Sequence, residues 1–355
     1  MRGPGTIEDV IRTRSLVVLV VVLVVAGALI GHLIGRADAT TAVRGIIGSE
    51  KRAFFADPAV RKVFERHGYT YRVDPAGSRD MVNRLDGYDF AFPSSHPAAE
   101  ELLRHRKAAG APVTAFSSPL AIATFTPIVD LLQSAGLAGR DATGVWRLDL
   151  KALVERNRAG LKWNQIPANT THPVGRAVLV ATTRPQDSNS AAMFAVVLDS
   201  VTGGDAGAVA KLFADQGAVD STSDEPFEKY LTRGRDFAPM VLIYEAQFVD
   251  HARHSRLDGG QTLIYPQPTL VCAHTVVPLT DAGVEIARLL ATDADLQRLA
   301  AEHGFRAVDP AVSRPVLDSV RPGDAELPEL ITGAVPSPSW TALNTLLTKV
   351  EEKLA

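Results

Sequence analysis

The chain of 355 residues contains one cysteine, Cys272, so no disulfide can form within it. It also lacks an excess of either charge. Its 37 Lys and Arg stand against 40 Asp and Glu, a formal net charge of -3. Proteins that grip nucleic acid usually carry a strong basic surplus, so no polyanion partner is expected. Several enzyme signatures are missing too. There is no phosphate loop ending in Gly-Lys-Ser/Thr, no Gly-x-Ser-x-Gly elbow and no His-Glu-x-x-His. His96 with Glu100, and His251 with His254, supply two metal-ligating side chains each, whereas a zinc site needs three or four. They read as exposed histidines, and no metal or cofactor is expected. Cys272 itself sits in the apolar run "TLVCAHTVV", where a buried, inert thiol is expected. The sequence shows no internal repeat and no low-complexity segment.

What is present begins with a long apolar run. From Ser15 to Gly35, "SLVVLVVVLVVAGALIGHLIG", there is no Asp, Glu, Lys or Arg, and about 20 such residues cross a bilayer. Arg12 and Arg14 precede it, which puts residues 1–14 in the cytoplasm and the main body outside. A cleaved signal peptide is the alternative, because "ADA" at Ala37 to Ala39 fits a small-x-small site. The run is long for a signal peptide, however, and Arg36 falls in the cleavage region. The expectation is an uncleaved single-pass anchor over 15–35 and a tether over 36–42. No cysteine follows the run closely, which excludes a lipoprotein anchor.

The whole chain is 46% hydrophobic and 22% charged, a globular balance, and it is long enough for two lobes with two cores. Strand and helix patterns alternate through it. "AVRGIIG" reads as a buried strand, "DPAVRKVFERHG" as a helix capped by Asp57, "YTYRVD" as a strand and "AGSRDMVNRL" as the start of a helix. "YDFAFPSS", "APVTAF", "RAVLVATT" and "PMVLIYE" read as further strands. This alternation predicts an α/β layer architecture with helices on both faces of a sheet.

Four of the predicted strands end in small polar residues just before a helix. These are Gly48-Ser49, then Gly77-Ser78-Arg79, then Ser94-Ser95, and finally Thr183 with Ser188, Asn189 and Ser190. Ligands of open α/β sheets bind at the carboxyl ends of strands, where helix N-termini offer free N–H groups. Ser117 and Ser118 add hydroxyls within an extended segment. Any one of these residues is explained by helix capping, worth about 1 kcal/mol. Their recurrence, and doubled hydroxyls where one would cap, make a ligand cleft the sharper reading.

Taken in order, "GSEKRAFF", "AGSRDM", "YDFAFPSSHPAAE", "PLAIATFTPI", "RAVLVATTRPQDSNSAAMF", "APMVLIYEAQF" and the closing "TDAGVEIARLLATDADLQRLAAEHGFRAV" resemble type II periplasmic solute-binding proteins. Within that family the chain is similar to the membrane-anchored actinobacterial members and to molybdate- and sulfate-type receptors. The likeness covers about Val43 to Val308 and implies two α/β lobes. Residues 43–120 and 251–310 would form lobe I and 121–250 lobe II. Residues 311–355 would form a C-terminal linker and helix packed on the lobes. "SSPLAIATF" and "VLIYEAQFV" would be the crossovers. The resemblance implies a ligand held by hydroxyls and backbone N–H groups. Ser49 and Ser78 would serve from lobe I, and Ser188 to Ser190 with Tyr244 from lobe II.

Three features depart from the molybdate pattern. Glu50 and Lys51 follow Ser49, and Lys51 is a further candidate for the ligand. Arg79 offers a charge-assisted bond or faces solvent. Ser94, Ser95 and Glu245 would suit an amine instead. The expected function is an extracytoplasmic binding protein without catalysis that closes on a small polar ligand, an oxyanion being the leading expectation. Its implied partner is an ABC permease or another membrane protein. A scaffold of the same fold with no transported ligand is the alternative, and an enzyme on this fold ranks last.

Overall fold

The computed structural model describes residues 40–216, 224–255, 257, 260–321 and 326–354. The expected anchor, the cytoplasmic tail and most of the tether lie outside the described residues. Among the described residues, no helix is long and apolar enough to cross a membrane.

The first half is built on three parallel strands: β1 (Thr41–Gly48), β2 (Tyr69–Ala76) and β3 (Phe90–Phe92), with β1 in the middle. Two helices, α1 (Arg52–Ala56) and α2 (Pro58–Arg66), connect β1 to β2. The Asp57 carboxylate caps α2 by accepting from Ala59 N at 2.7 Å, as its Asp-Pro start predicts. The helix expected at "AGSRDMVNRL" is a short 3-10 turn, Asp80–Arg84, with Met81 as its buried residue. After β3 comes α3 (His96–His105).

The chain then enters β4 (Val113–Phe125), a strand of 13 residues that belongs to both halves. Its first part, Val113–Pro119, pairs antiparallel with β9 (Val271–Pro278). Its second part pairs with β7 (Met240–Tyr244) and β8 (Gln261–Gln267). The second half continues through β6 (Trp146–Asp149), parallel to β8, and β5 (Ala138–Arg140). The two-residue β10 (Arg306–Ala307) lies against Phe116 and Ser117 of β4. Helices of the second half include α4 (Thr126–Ser134), α5 (Leu150–Arg158), α6 (Asn189–Thr202), α7 (Ala206–Ala214), α8 (Asp224–Arg233) and α9 (Glu245–His254). Helices α10 (Asp281–Thr292), α11 (Ala294–Glu302) and α12 (Pro310–Ser319) follow β9, and α13 (Trp340–Leu354) ends the chain.

Two expectations are corrected by this pairing. "SSPLAIATF" does cross between the halves, inside β4. "VLIYEAQFV" does not, because β7 and the later β8 both remain paired with the second part of β4. The return is at 268–270, after β8 and not near His251. The strand expected at "RAVLVATT" forms single bridges instead. Ala181 meets Val241 and Ala177 meets Lys162, and no continuous ladder forms.

Two main cores follow the division. One gathers Phe54, Phe55, Phe64, Phe90, Phe92 and Phe116 under α10 and α11. The other holds Ile122, Leu148, Phe194, Ile243 and Ile264, with Leu343, Leu347 and Val350 of α13 inserted. Helix α13 also reaches the first half. Its Trp340 N–H donates to Glu100 of α3 at 2.7 Å, and the Arg104 guanidinium lies 4.0 Å from the Trp340 ring centre.

Candidate polar site between the halves

Because β1, β2 and β3 are parallel, their carboxyl ends share one edge, and the residues that follow them converge there. Ser49 follows β1, Ser78 lies two residues past β2, and Ser94 and Ser95 follow β3. All four are buried. The Ser78 and Ser94 hydroxyls are 3.0 Å apart, and Ser94 N donates to Ser78 Oγ at 3.1 Å. Ser95 caps α3 by accepting from Ala98 N at 3.3 Å, and its hydroxyl also donates to Asn189 Oδ1 at 2.5 Å. That last bond joins the two halves.

From the second half come Ser188, Asn189, Ser190 and Tyr244, each buried. Ser188 stands at the cap position of α6, yet its side chain caps nothing. It lies 2.9 Å from Ser190 Oγ instead. Asn189 Nδ2 donates to the Tyr244 hydroxyl at 2.9 Å, so this amide bridges Ser95 and Tyr244. The polar run before α6 therefore serves the seam, and the expectation that one of its side chains caps the helix is corrected. Burial raises the Tyr244 pKa well above that of a free phenol.

The charged centre of this cluster is Glu50 with Lys51 and His274, all essentially inaccessible. The Glu50 carboxylate accepts from Lys51 Nζ and, at 2.6 Å, from Ser94 Oγ. His274 Nδ1 is 3.1 Å from Lys51 Nζ and 3.3 Å from Glu50 Oε1. The Lys51 ammonium also stands 4.8 Å from the centre of the Phe92 ring. Burial alone would raise the Glu50 pKa, but Lys51 and His274 outweigh it and hold the carboxyl far below its usual range. Burial, helped by the Lys51 charge, pushes His274 down to about 4, so the ring is neutral at pH 7. Its Nε2 is buried without a hydrogen-bond partner. The Cys272 thiol, buried nearby, is pushed up by burial and then by the Glu50 charge.

Five sequence candidates lie apart from this cluster. Arg79 reaches across the seam, donating from Nε to the Gln186 carbonyl at 3.2 Å, with Glu101 3.5 Å from its Nη1. Ser117 is a ladder residue, paired with Ala273 and Arg306. Ser118 Oγ accepts from Ala246 N at 3.1 Å in the first turn of α9. Glu245 is fully buried against Arg306, at 2.8 and 2.9 Å, and accepts from the Tyr265 hydroxyl. Its charge is answered within the chain, so it is not presented to an amine. Thr183 is buried, and its hydroxyl has no hydrogen-bond partner.

Sequence reasoning missed Glu50 and His274 as members of the cluster. The signals were a Glu-Lys pair directly after Ser49 and one histidine inside an apolar central strand. A cavity of about 340 Å³ opens beside the cluster at Ser49 and Glu50, walled by Phe54, Phe227 and Phe305. Asp224 lines it. Burial, and then the Glu50 charge, raise the Asp224 carboxyl to about 6. Across the cavity, His303 bridges Asp250 at 2.6 Å and Asp57 at 3.1 Å.

No protein-family model and no curated protein sequence matches the chain. Solved structures do match. The sulfate-binding protein SubI from Mycobacterium tuberculosis H37Rv aligns with a TM-score of 0.52 at 16% identity, over 89% of this chain and 99% of its own. A periplasmic thiamin binding protein gives 0.55 at 11% identity, over 89% and 97%. The Atu4243-GABA receptor gives 0.54 at 10% identity, over 88% and 96%. The structural neighbours are binding proteins rather than enzymes, and their likeness shows the fold: this chain has the two-lobed α/β fold of type II periplasmic binding proteins.

Proposed function

We propose that the chain is an extracytoplasmic solute-binding protein, held at the membrane by its apolar segment 15–35, whose two halves close on a small polar ligand. One observation carries this reading. Hydroxyl and amide groups from both halves, Ser78, Ser94 and Ser95 on one side and Ser188, Asn189, Ser190 and Tyr244 on the other, meet in one buried cluster. Polar groups in such a setting are selective, because any group left unpaired costs about 1–3 kcal/mol. The chain passes between the halves inside β4, at 268–270 and again after α11, since α12 and α13 pack in the second core, and the first two crossings are extended segments that suit hinge closure. An ABC permease is the partner this reading implies, and a membrane sensor is the other use it allows.

A scaffold role is the second reading, favoured by one observation. The cluster already satisfies many of its own groups, Glu50 and Lys51 among them. The experiment is a thermal shift with molybdate, tungstate, sulfate, phosphate, amino acids and sugars, repeated on Asn189→Ala and Ser190→Ala. A ligand at 100 times its Kd stabilises by about 2.7 kcal/mol. A response to one ligand class that both variants lose supports the receptor. Silence across the panel favours the scaffold. Protease protection in intact cells tests the orientation.

A further inference from the structure

Viewed as a solute cleft, the cluster has an unusual feature: an anion is already inside it. The Glu50 carboxylate receives Lys51 Nζ, the Ser94 hydroxyl at 2.6 Å and, 3.3 Å away, the His274 ring. The Ser94 hydroxyl in turn touches Ser78 Oγ at 3.0 Å. Lys51 and Ser94, from the ends of β1 and β3, are donors of the kind an oxyanion would need, and they are filled from within the chain. The packing fixes the carboxylate there. A Cβ added to Gly48 would come within 2.6 Å of both Glu50 carboxylate oxygens and 2.4 Å of Ser94 Oγ. Glycine at 48 thus makes room for a side chain folded back over its own backbone.

We propose that Glu50 determines the specificity of the cleft. Its carboxylate occupies the anion position defined by Lys51 and Ser94, so the native chain excludes small oxyanions there. Removing the carboxylate converts the same donors into an oxyanion site. The inference rests on reading the cluster as a solute cleft, and it replaces the oxyanion expected from sequence with a ligand that leaves this carboxylate in place. A second negative charge beside Glu50 would meet repulsion in a poorly screened interior. Without Glu50, burial, which already lowers the Lys51 pKa, would favour the neutral amine, and a tetrahedral oxyanion seated beside it would restore the ammonium and take Lys51 and Ser94 as its donors.

The test uses the full-length chain in mild detergent, wild type and Glu50→Ser, with melting followed by the fluorescence of the three tryptophans. The probes are sulfate and molybdate at about 1 mM, far below the concentrations at which sulfate stabilises proteins by exclusion. Glu50→Ser is expected to melt higher as either anion is added and to bind it at least about tenfold tighter than the wild type. The Glu50→Ser/Lys51→Ser pair is expected to lose that gain. Should Glu50→Ser not accumulate folded, Glu50→Ala carries the test. It also empties the anion position, and exchanging chloride for sulfate at matched ionic strength should shift its melting point and not that of the wild type. A folded variant indifferent to both anions overturns the proposal, even if the wild type binds an amine or a sugar. A wild type that itself binds sulfate or molybdate as tightly as the variant also overturns it, while leaving the solute-binding reading intact.

Discussion

Asp224 is the residue whose removal should strengthen the protein. Its carboxylate accepts from Gln247 Nε2 at 2.9 Å and has Arg52 Nη2 at 3.4 Å. Only 17% of its side chain is exposed. Burial first, and the Glu50 charge second, raise its pKa from 3.8 to about 6. A carboxyl with a raised folded pKa holds its proton more tightly folded than unfolded. Its cost is therefore absent below about pH 4 and fully developed above about pH 6. At about 1.4 kcal/mol per pH unit, the shift from 3.8 to about 6 amounts to roughly 3 kcal/mol at neutral pH. Asp224→Asn keeps the acceptor for Gln247 and gives up the contact with Arg52. That guanidinium is 55% exposed, and its modest attraction is already contained in the net shift, which it lowers. The variant should be more stable than the wild type by roughly 3 kcal/mol at pH 7.5. The gain should shrink steadily between pH 6 and pH 4, as read from urea unfolding across that range. A variant that is less stable at pH 7.5, or a difference that ignores pH, would refute the reasoning.

Other perturbations follow from the same contacts. Burial works against the charge of His303, but Asp250 and Asp57 prevail and raise its pKa. Its contribution is therefore complete below the unfolded value near 6.5 and lost as pH climbs through the folded one. His303→Gln should flatten the melting profile between about pH 6 and pH 8. Lys51→Met leaves the Glu50 carboxylate buried without its ammonium, and unfolding free energy should fall by about 3–5 kcal/mol in a denaturant titration. Gly77 faces the Asp187 carbonyl across the seam, where an added Cβ would lie 2.7 Å from the oxygen. Gly77→Val should wedge the halves apart at that edge, raising the radius of gyration in solution scattering at a cost of about 1–3 kcal/mol.

The strand-end serines were legible because parallel strands announce themselves as short apolar runs, and their carboxyl ends must share an edge. Ser78, Ser94 and Ser95 met the second half for that reason, and Ser49 lines the cavity beside them. The polar run before α6 was legible as an excess over capping needs. Its bridge from Ser95 through Asn189 to Tyr244 was not, since that depends on how two halves meet. Lys51 was legible as a ligand candidate, but its buried pairing with Glu50 was not, because sequence cannot show that two opposite charges are buried together. "RAVLVATT" had the composition of a strand but found a partner at isolated bridges, since ladder formation depends on a neighbour as well as on apolar content. The return to the first half was misplaced for a related reason. "QTLIYP" and "TLVCAHTVV" look alike as strands, and pairing alone assigns one to each half.

Strand β4 has a consequence for how this fold can be recombined. Residues 113–119 belong to one sheet half and 120–125 to the other, on a single continuous strand whose pairing shifts register once, between Thr114 and Phe116. Side chains alternate along it, so a one-residue insertion at its middle would invert every later side chain relative to the core it faces. The two halves therefore share one register and are not exchangeable cassettes. A chimera that swaps the second half for a relative's must import a strand already in phase with the first, and its junctions belong in the loops outside 113–125.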